Sequence, residues 1–340
     1  MCPCIAPLPT GLFAALWLAA PSLAPTELAY SPEEGSVWEK SLEVKTEMTF
    51  DDLAVVMDGR DVDKSFLPVI DMEMLDTLRV RLTDEVRSVG EGRPQLLHRT
   101  YEELSREGEH SMEIPGMMPA QTSEVSGSSP LEGRTIAFAY DEDGDVECRA
   151  VDDESGELSF SDLEDDFDFL AWLPDSDVEQ GDSWDVPIDV LGEWLDGGDA
   201  FGIELEGDGV EEFTQGEGAE RDLDGELTLR LAALREDDGA QLAHIEIRAE
   251  FTTETSYAGD LSNVPVADGT ATVTDTTEYE MEGELVWDLA AGVARSFETS
   301  SDFLLESVTV KDPGQDGPEY ESTATLSGTL AVLFEVERAE

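Results

Sequence analysis

The stretch HIEIRAEF, residues 244–251, decides the fold class of this chain. Its apolar residues, Ile245, Ile247, Ala249 and Phe251, alternate with charged or polar residues. A period of two with one apolar and one polar face is typical of a strand in an antiparallel sheet with one side in water. The same alternation recurs at 42–50, 271–281 and 326–336. We therefore predict an all-β protein built from antiparallel meander sheets.

Turn signals between these runs predict three hairpins. They join Thr135–Tyr140 to Val146–Val151, Leu227–Leu231 to Leu242–Phe251, and Glu284–Asp288 to Val293–Thr299. Segments 58–75, 107–132 and 311–319 are rich in Gly, Pro, Ser and acids and are predicted to be loops.

One connecting helix is predicted near residues 161–172. Ser161 can cap it, and Leu163, Phe167 and Leu170 fall on one face at helical spacing. Pro174 prevents the helix from continuing.

Short matches along the chain indicate an internal duplication. Gly-Ser-Val-Trp at 35–38 recurs as Gly-Asp-Ser-Trp at 181–184, and Gln-Leu-Leu-His at 95–98 recurs as Gln-Leu-Ala-His at 241–244. The differences 184 minus 38 and 244 minus 98 both give 146. We predict two related β-rich halves, 30–173 and 174–340.

The N-terminus is typical of an export signal. The uncharged run LFAALWLAA at 12–20 is followed by Ser22-Leu23-Ala24, which fits a small-x-small cleavage pattern. No Lys or Arg precedes the run, and Pro25 disfavours cleavage directly before it, so the true start or cleavage site can lie nearby. We predict a signal peptide over 1–24 and a periplasmic or extracellular protein.

Only Cys148 remains if this segment is removed, so no internal disulfide can form. Because Cys148 lies in an alternating run, we interpret it as a small buried apolar residue.

The net charge of −62, from 81 acidic and 19 basic residues, restricts the partners of this chain. Such a chain repels nucleic acid and anionic membranes, and it repels itself unless counterions screen it. Two interpretations remain open: a surface adapted to high salt, as in halophilic proteins, or a surface that binds specific cations. Hydrophobic residues make up 40% of the chain, which is enough for real cores.

The acid-rich turn at 141–147 is the only cofactor candidate that we identify, and the cofactor would be calcium, which takes several carboxylate ligands. Its candidate ligands are Asp141, Asp143, Asp145 and Glu147. The spacing differs from an EF-hand loop, and the corresponding turn at 289–292 carries no acid. Hairpin architecture is therefore the alternative interpretation of this turn.

No other residue pattern predicts catalysis. His98 and His244 occupy corresponding repeat positions but lack further metal ligands, and Trp38 and Trp184 are interpreted as covers of the core. The chain contains no P-loop, nucleophile elbow, dinucleotide fingerprint or H-E-x-x-H motif. We predict that it is not an enzyme. A carboxylate-based extracellular hydrolase is the alternative, and it requires two acids in one cleft with raised pKa values.

Several short motifs resemble a class of exported bacterial all-β proteins that carry a P…G-D-x-W entry and a closing aromatic-Asp…Gly hairpin. These motifs are Leu173-Pro174, Gly181-Asp182-Ser183-Trp184 and Val286-Trp287-Asp288 with Gly292. The predicted meander is also similar in outline to periplasmic lipoprotein carriers. That resemblance implies a hydrophobic groove.

These observations predict a non-catalytic exported binding or structural protein with an acidic, salt-adapted surface. The alternative is a carrier of an apolar or lipid-like small molecule, held in a groove lined by one face of 245–251 and 271–281. A filled core at these strands argues against that groove.

Overall fold

The computed structural model describes residues 25–90, 93–141, 146–151, 163, 168–195, 201–214, 219–237, 239–260, 270–311 and 319–339. The predicted signal peptide, residues 1–24, lies outside the described residues.

Most of the described chain is strand. The strands are β1 (Val37–Met57), β2 (Arg60–Asp61), β3 (Asp71–Gly90), β4 (Arg93–Ile114), β5 (Met118–Ser128), β6 (Thr135–Tyr140), β7 (Val146–Ala150), β8 (Ser183–Val186), β9 (Glu204–Gly207), β10 (Arg221–Asp237), β11 (Ala240–Asp260), β12 (Thr270–Asp288), β13 (Val293–Lys311) and β14 (Tyr320–Arg338). The described helices are short: α1 (Gly192–Leu195), α2 (Val210–Phe213) and the 3-10 turns Lys64–Phe66, Leu170–Trp172 and Ile188–Leu191.

The strands form one 14-stranded sheet, and every strand pair in it is antiparallel. Its order is β7-β6-β4-β3-β1-β14-β13-β12-β11-β10-β8, with β2, β5 and β9 attached at the side. The predicted all-β antiparallel meander is thereby confirmed. The first long strand, β1, pairs along its length with the last, β14, so both predicted halves belong to one continuous sheet.

The core covers one face of the sheet, which we call the inner face; the opposite face is the outer face. Leu42 and Val44 of β1 are buried on the inner face, whereas Glu43 is exposed on the outer face. The alternation continues in β11 and β12, where Ile245 and Leu285 are buried. One contiguous cluster of buried apolar side chains extends over the inner face from β4 to β10.

Two aromatic residues near the end of the first predicted half pack on the middle of the inner face. The Phe169 ring lies 5.1 Å from that of Phe297 and 5.3 Å from that of Phe334. The Trp172 ring lies 5.2 Å from that of Phe297. Both Phe169 and Trp172 are completely buried.

The predicted helix over 161–172 is not confirmed. Phe169 adopts a left-handed conformation with φ of 56°, which is incompatible with a continuous α-helix, and a short 3-10 turn follows at Leu170–Trp172. This break lets both aromatic rings reach the core, a tertiary gain that exceeds local helix preference. Residues 161–162 and 164–167 lie outside the described part of the chain.

The three predicted hairpins are confirmed by strand pairing. Tyr140 faces Val146, Asp288 faces Val293, and Asp237 faces Ala240. The loop predicted at 107–132 is wrong over most of its length, because β4 continues to Ile114 and β5 covers Met118–Ser128. Residues 107–114 of β4 and most of β5 are polar on both faces, so they lack the alternation that indicates a strand.

The two Gly-x-x-Trp segments have the same local geometry. The Gly35 N–H donates to the Val86 carbonyl oxygen at 2.7 Å, and the Gly181 N–H donates to that of Leu231 at 2.7 Å. Both glycines have positive φ, 81° and 103°, a conformation that favours glycine. The duplication of the entire chain stays a prediction.

Candidate functional site

Two of the four predicted calcium ligands, Asp141 and Glu147, lie within the described residues. Asp143 and Asp145 lie outside the described residues. Asp141 is exposed at the end of β6, and Glu147 is exposed on β7, opposite Ala139. Among the residues that the structure describes, no three His, Cys, Asp or Glu side chains are grouped to hold a metal ion. Calcium binding at this turn therefore stays a prediction.

The two repeat-related histidines are not brought together, because five strands separate β4 from β11 in the sheet. His98 lies opposite Glu85, and burial together with nearby Arg87 lowers its pKa. His244 lies on the outer face, with Nδ1 3.1 Å from a carboxylate oxygen of Glu284. Each histidine thus occupies a strand position with a local acidic neighbour, and neither forms part of a metal site with the other.

The predicted core roles of the tryptophans and the cysteine fit the structure. Trp38 is buried and its indole N–H donates to the Ser36 hydroxyl at 3.0 Å. The indole N–H of Trp184 donates to the Trp172 carbonyl oxygen at 2.9 Å. Cys148 is half-buried and packs against the core.

The sequence patterns did not predict a buried cluster of charged side chains formed by Lys40, Asp84 and Arg99. Asp84 of β3 lies 2.8 Å from the Lys40 ammonium and accepts hydrogen bonds from Arg99 at 2.8 and 2.9 Å. Burial alone would raise the pKa of Asp84, but the charges and hydrogen bonds of Arg99 and Lys40 lower it to about 2. Lys40 occupies an inner-face position between Trp38 and Leu42. A lysine at an otherwise apolar position of the alternation was the sequence signal that could have predicted a buried ion pair. The cluster anchors β1, β3 and β4 to one another.

The residues predicted to line an apolar groove are buried in the core. Ile245, Ile247, Ala249 and Phe251 are at most 3% exposed and belong to the filled core. On the next strand, β12, Met281 is equally buried. The filled core on these inner-face positions argues against a ligand groove there.

The open grooves lie instead on the outer face. One of about 620 Å³ crosses β1, β3, β4, β13 and β14, and one of about 590 Å³ crosses β10 to β13. Carboxylates dominate the charged residues of both grooves. Those lining the first are Glu47, Glu73, Glu109 and Asp302, and those lining the second are Asp224, Glu250, Glu278, Glu280 and Asp302.

Strand register explains the high density of carboxylates in the second groove. Glu226 of β10 lies directly opposite Glu250 of β11, which lies opposite Glu280 of β12, which lies opposite Asp302 of β13. We call these four residues the carboxylate row. All four are exposed, and none forms an ion pair with another described residue. Directly opposed like charges destabilise a sheet, so the row has an energetic cost that counterions in the solvent reduce.

A second row of carboxylates on three of the same strands differs in its basic neighbours. Glu246, Glu284 and Glu298 also face one another across β11, β12 and β13. Here the Arg230 guanidinium lies 3.1 Å from Glu246, and His244 lies 3.1 Å from Glu284. Of these two rows, the carboxylate row therefore depends more on screening by solvent ions.

Comparisons with known proteins give no assignment of function. No protein-family model matches the chain, and no curated protein matches it at a significant level. Among solved structures, it is similar to the InvG secretin domain β-barrel from the Salmonella SPI-1 injectisome, with 9% identity and a TM-score of 0.15 over 90% of this chain. The chain spans 64% of the length of that secretin chain.

A second similar structure is OccK7 (OpdD) from Pseudomonas aeruginosa, with 6% identity and a TM-score of 0.18, covering 89% of this chain and 99% of that one. At such low TM-scores these likenesses carry no argument. Among the described helices, none has the length and apolar composition needed to cross a membrane.

Proposed function

We propose that this is an exported, non-catalytic structural or binding protein whose carboxylate-coated sheet works in salty surroundings. Export is inferred from the apolar run at 12–20 and the small residues that follow it. The observation that supports the acidic role is the carboxylate row on the outer face.

The spacing of the row determines how much salt is needed. Opposite side chains in a sheet have Cβ atoms about 5 Å apart. The screening length of salt water is about 10 Å at 0.1 M and about 3 Å at 1 M ionic strength. Repulsion between neighbouring carboxylates of the row therefore persists at 0.1 M and is strongly reduced only near molar salt. We infer that the native sheet is most stable in concentrated salt.

The hydrolase alternative receives less support. It requires a carboxyl group whose pKa is raised so that it can donate a proton. The buried carboxylate Asp84 shifts in the opposite direction, because Arg99 and Lys40 outweigh the effect of its burial. It is also enclosed by the core and does not line either large outer-face groove.

A thermal melt of the full chain in increasing NaCl, with CaCl2 at matched ionic strength in parallel, tests the proposal. We expect Tm to rise up to molar NaCl and to depend only on ionic strength. A Tm that is independent of NaCl would refute the salt-adapted surface. A much larger rise in low CaCl2 than in matched NaCl would show specific calcium sites and would replace adaptation by cation binding.

A further inference from the structure

The most exposed large apolar side chains of the described residues lie together at one end of the sheet. Phe66 is 82% exposed, Met117 is 76% exposed and Val69 is 73% exposed, whereas the other exposed large apolar residues reach at most 44%. Phe66 and Val69 lie on the loop between β2 and β3, and Met117 lies on the turn between β4 and β5. We call the segments 65–70 and 114–118 the apolar tip.

Strand pairing places these two segments next to each other. The start of β3 pairs with the end of β4, with Asp71 opposite Glu113 and Met72 opposite Met112. Residues 65–70 lead directly into Asp71, and residues 114–118 follow directly after Glu113. The two segments therefore project from neighbouring strands at the same edge of the molecule.

Both segments are held by local hydrogen bonds. The Asp63 carboxylate accepts from the Ser65 N–H at 2.9 Å and caps the 3-10 turn that contains Phe66. The Met117 N–H donates to the Ile114 carbonyl oxygen at 2.9 Å, and Gly116 supplies a positive φ of 81°. The exposed side chains are thus presented by defined turns.

The charge of the apolar tip differs sharply from the rest of the protein. Residues 65–70 and 114–123 contain no Asp, Glu, Lys or Arg, in a chain with a net charge of −62. The charged residues at the rim of the tip are the carboxylates Asp63, Asp71 and Glu113 and one cation, Lys64, which pairs with the Asp52 carboxylate. The tip is therefore an uncharged apolar projection whose rim carries a net negative charge.

We propose that the apolar tip inserts into the surface of a zwitterionic phospholipid bilayer. Phe66, Val69 and Met117 would lie below the headgroups, as apolar side chains do at a membrane interface. The outward-facing ammonium groups of choline or ethanolamine lipids complement the rim carboxylates. An anionic bilayer and a second copy of this chain both repel the remaining negative charge, so neither fits as well.

Flotation of the full chain with pure phosphatidylcholine vesicles tests this proposal. The test variant is Phe66→Ser with Val69→Ser and Met117→Ser. The matched control is Val146→Ser with Leu304→Ser and Leu333→Ser, which removes three exposed apolar side chains elsewhere on the sheet. We expect the wild type and the control to float with the vesicles and the tip variant to lose at least about tenfold in partitioning.

Three results would overturn the proposal. They are a wild type that does not float, a tip variant that floats as well as the wild type, or equal losses in the tip and control variants.

Light scattering would identify self-association instead, if the wild type were dimeric and the tip variant monomeric. Vesicles containing phosphatidylglycerol should bind less than pure phosphatidylcholine, and stronger binding to them would contradict the charge argument. Melting curves establish that each variant is folded.

Discussion

The Asp84 carboxylate accepts two hydrogen bonds from the Arg99 guanidinium, at 2.8 and 2.9 Å, although both side chains are at most 2% exposed. The Arg99 guanidinium also lies 5.1 Å from the centre of the Phe138 ring. Lys40 also binds Asp84, so one buried carboxylate contacts two buried cations. Removing that carboxylate would take a charged partner from both buried cations, and removing one partner of a buried ion pair is strongly destabilising.

We therefore expect Asp84→Asn to lower the free energy of unfolding by about 3–5 kcal/mol. Urea denaturation at constant salt measures the change. Asp302→Asn is the control, because it removes a carboxylate from the exposed row and relieves repulsion there. Equal effects of the two substitutions would contradict a buried network at Asp84.

Acid should weaken the fold through the same residue. The pKa of Asp84 is lowered from 3.8 to about 2 in the folded state. A depressed pKa contributes stability that is fully present above the unfolded value and is lost as pH falls through the folded value. We expect a loss of about 2 kcal/mol between pH 4 and pH 2 that is absent in Asp84→Asn. Urea midpoints across this range, compared between the two proteins, measure the difference.

The carboxylate row predicts a substitution that stabilises the protein at low salt. Glu250→Gln with Glu280→Gln removes two charges from the middle of the row and should raise Tm and flatten its dependence on NaCl. Glu321→Gln with Glu335→Gln is the matched control. These exposed glutamates face uncharged strand neighbours, Val56 and Val310 for Glu321 and Ser41 and Ser296 for Glu335. Equal changes in both variants would assign the effect to net charge alone.

The aromatic pair Phe169 and Trp172 should contribute strongly to stability. Trp172→Ala removes a fully buried ring that packs on Phe297 and Phe169, and we expect a loss of about 3–5 kcal/mol. Phe66→Ala, at an 82% exposed position, should change stability by less than about 0.5 kcal/mol. Urea denaturation of both variants compares them. A small effect of Trp172→Ala would mean that the inner face is not filled by this ring.

Local patterns in the sequence predicted the features that depend on neighbouring residues. One example is the hairpin whose first strand ends at Asp288 and whose second strand begins at Val293. It was predicted from two alternating runs around a glycine turn. The alternation of Ile245 and Ile247 with polar residues gave the buried face of β11. In these elements the information lies within a few residues of the turn or strand itself.

Features that depend on distant pairing were not predictable in the same way. In β5 only Val125 is buried, and the strand exists because β4 and β9 pair with it on both sides. The ion pair between Asp84 and Arg99 depends on the register of β3 with β4. The four members of the carboxylate row are far apart in sequence, and only the register of β10 to β13 aligns them. Among 81 acidic residues no spacing could identify them.

The pairing of β1 with β14 has a consequence for how the chain reaches this structure. The centre of the sheet joins residues such as Thr49 and Ser327, which are 278 positions apart. Contacts of such high sequence separation slow folding, because a long loop must close before the contact stabilises anything. During synthesis β1 lacks its β14 partner until the last strand has emerged. A chain exported in an unfolded state would benefit from this delay, since the complete sheet forms only once the whole chain is present.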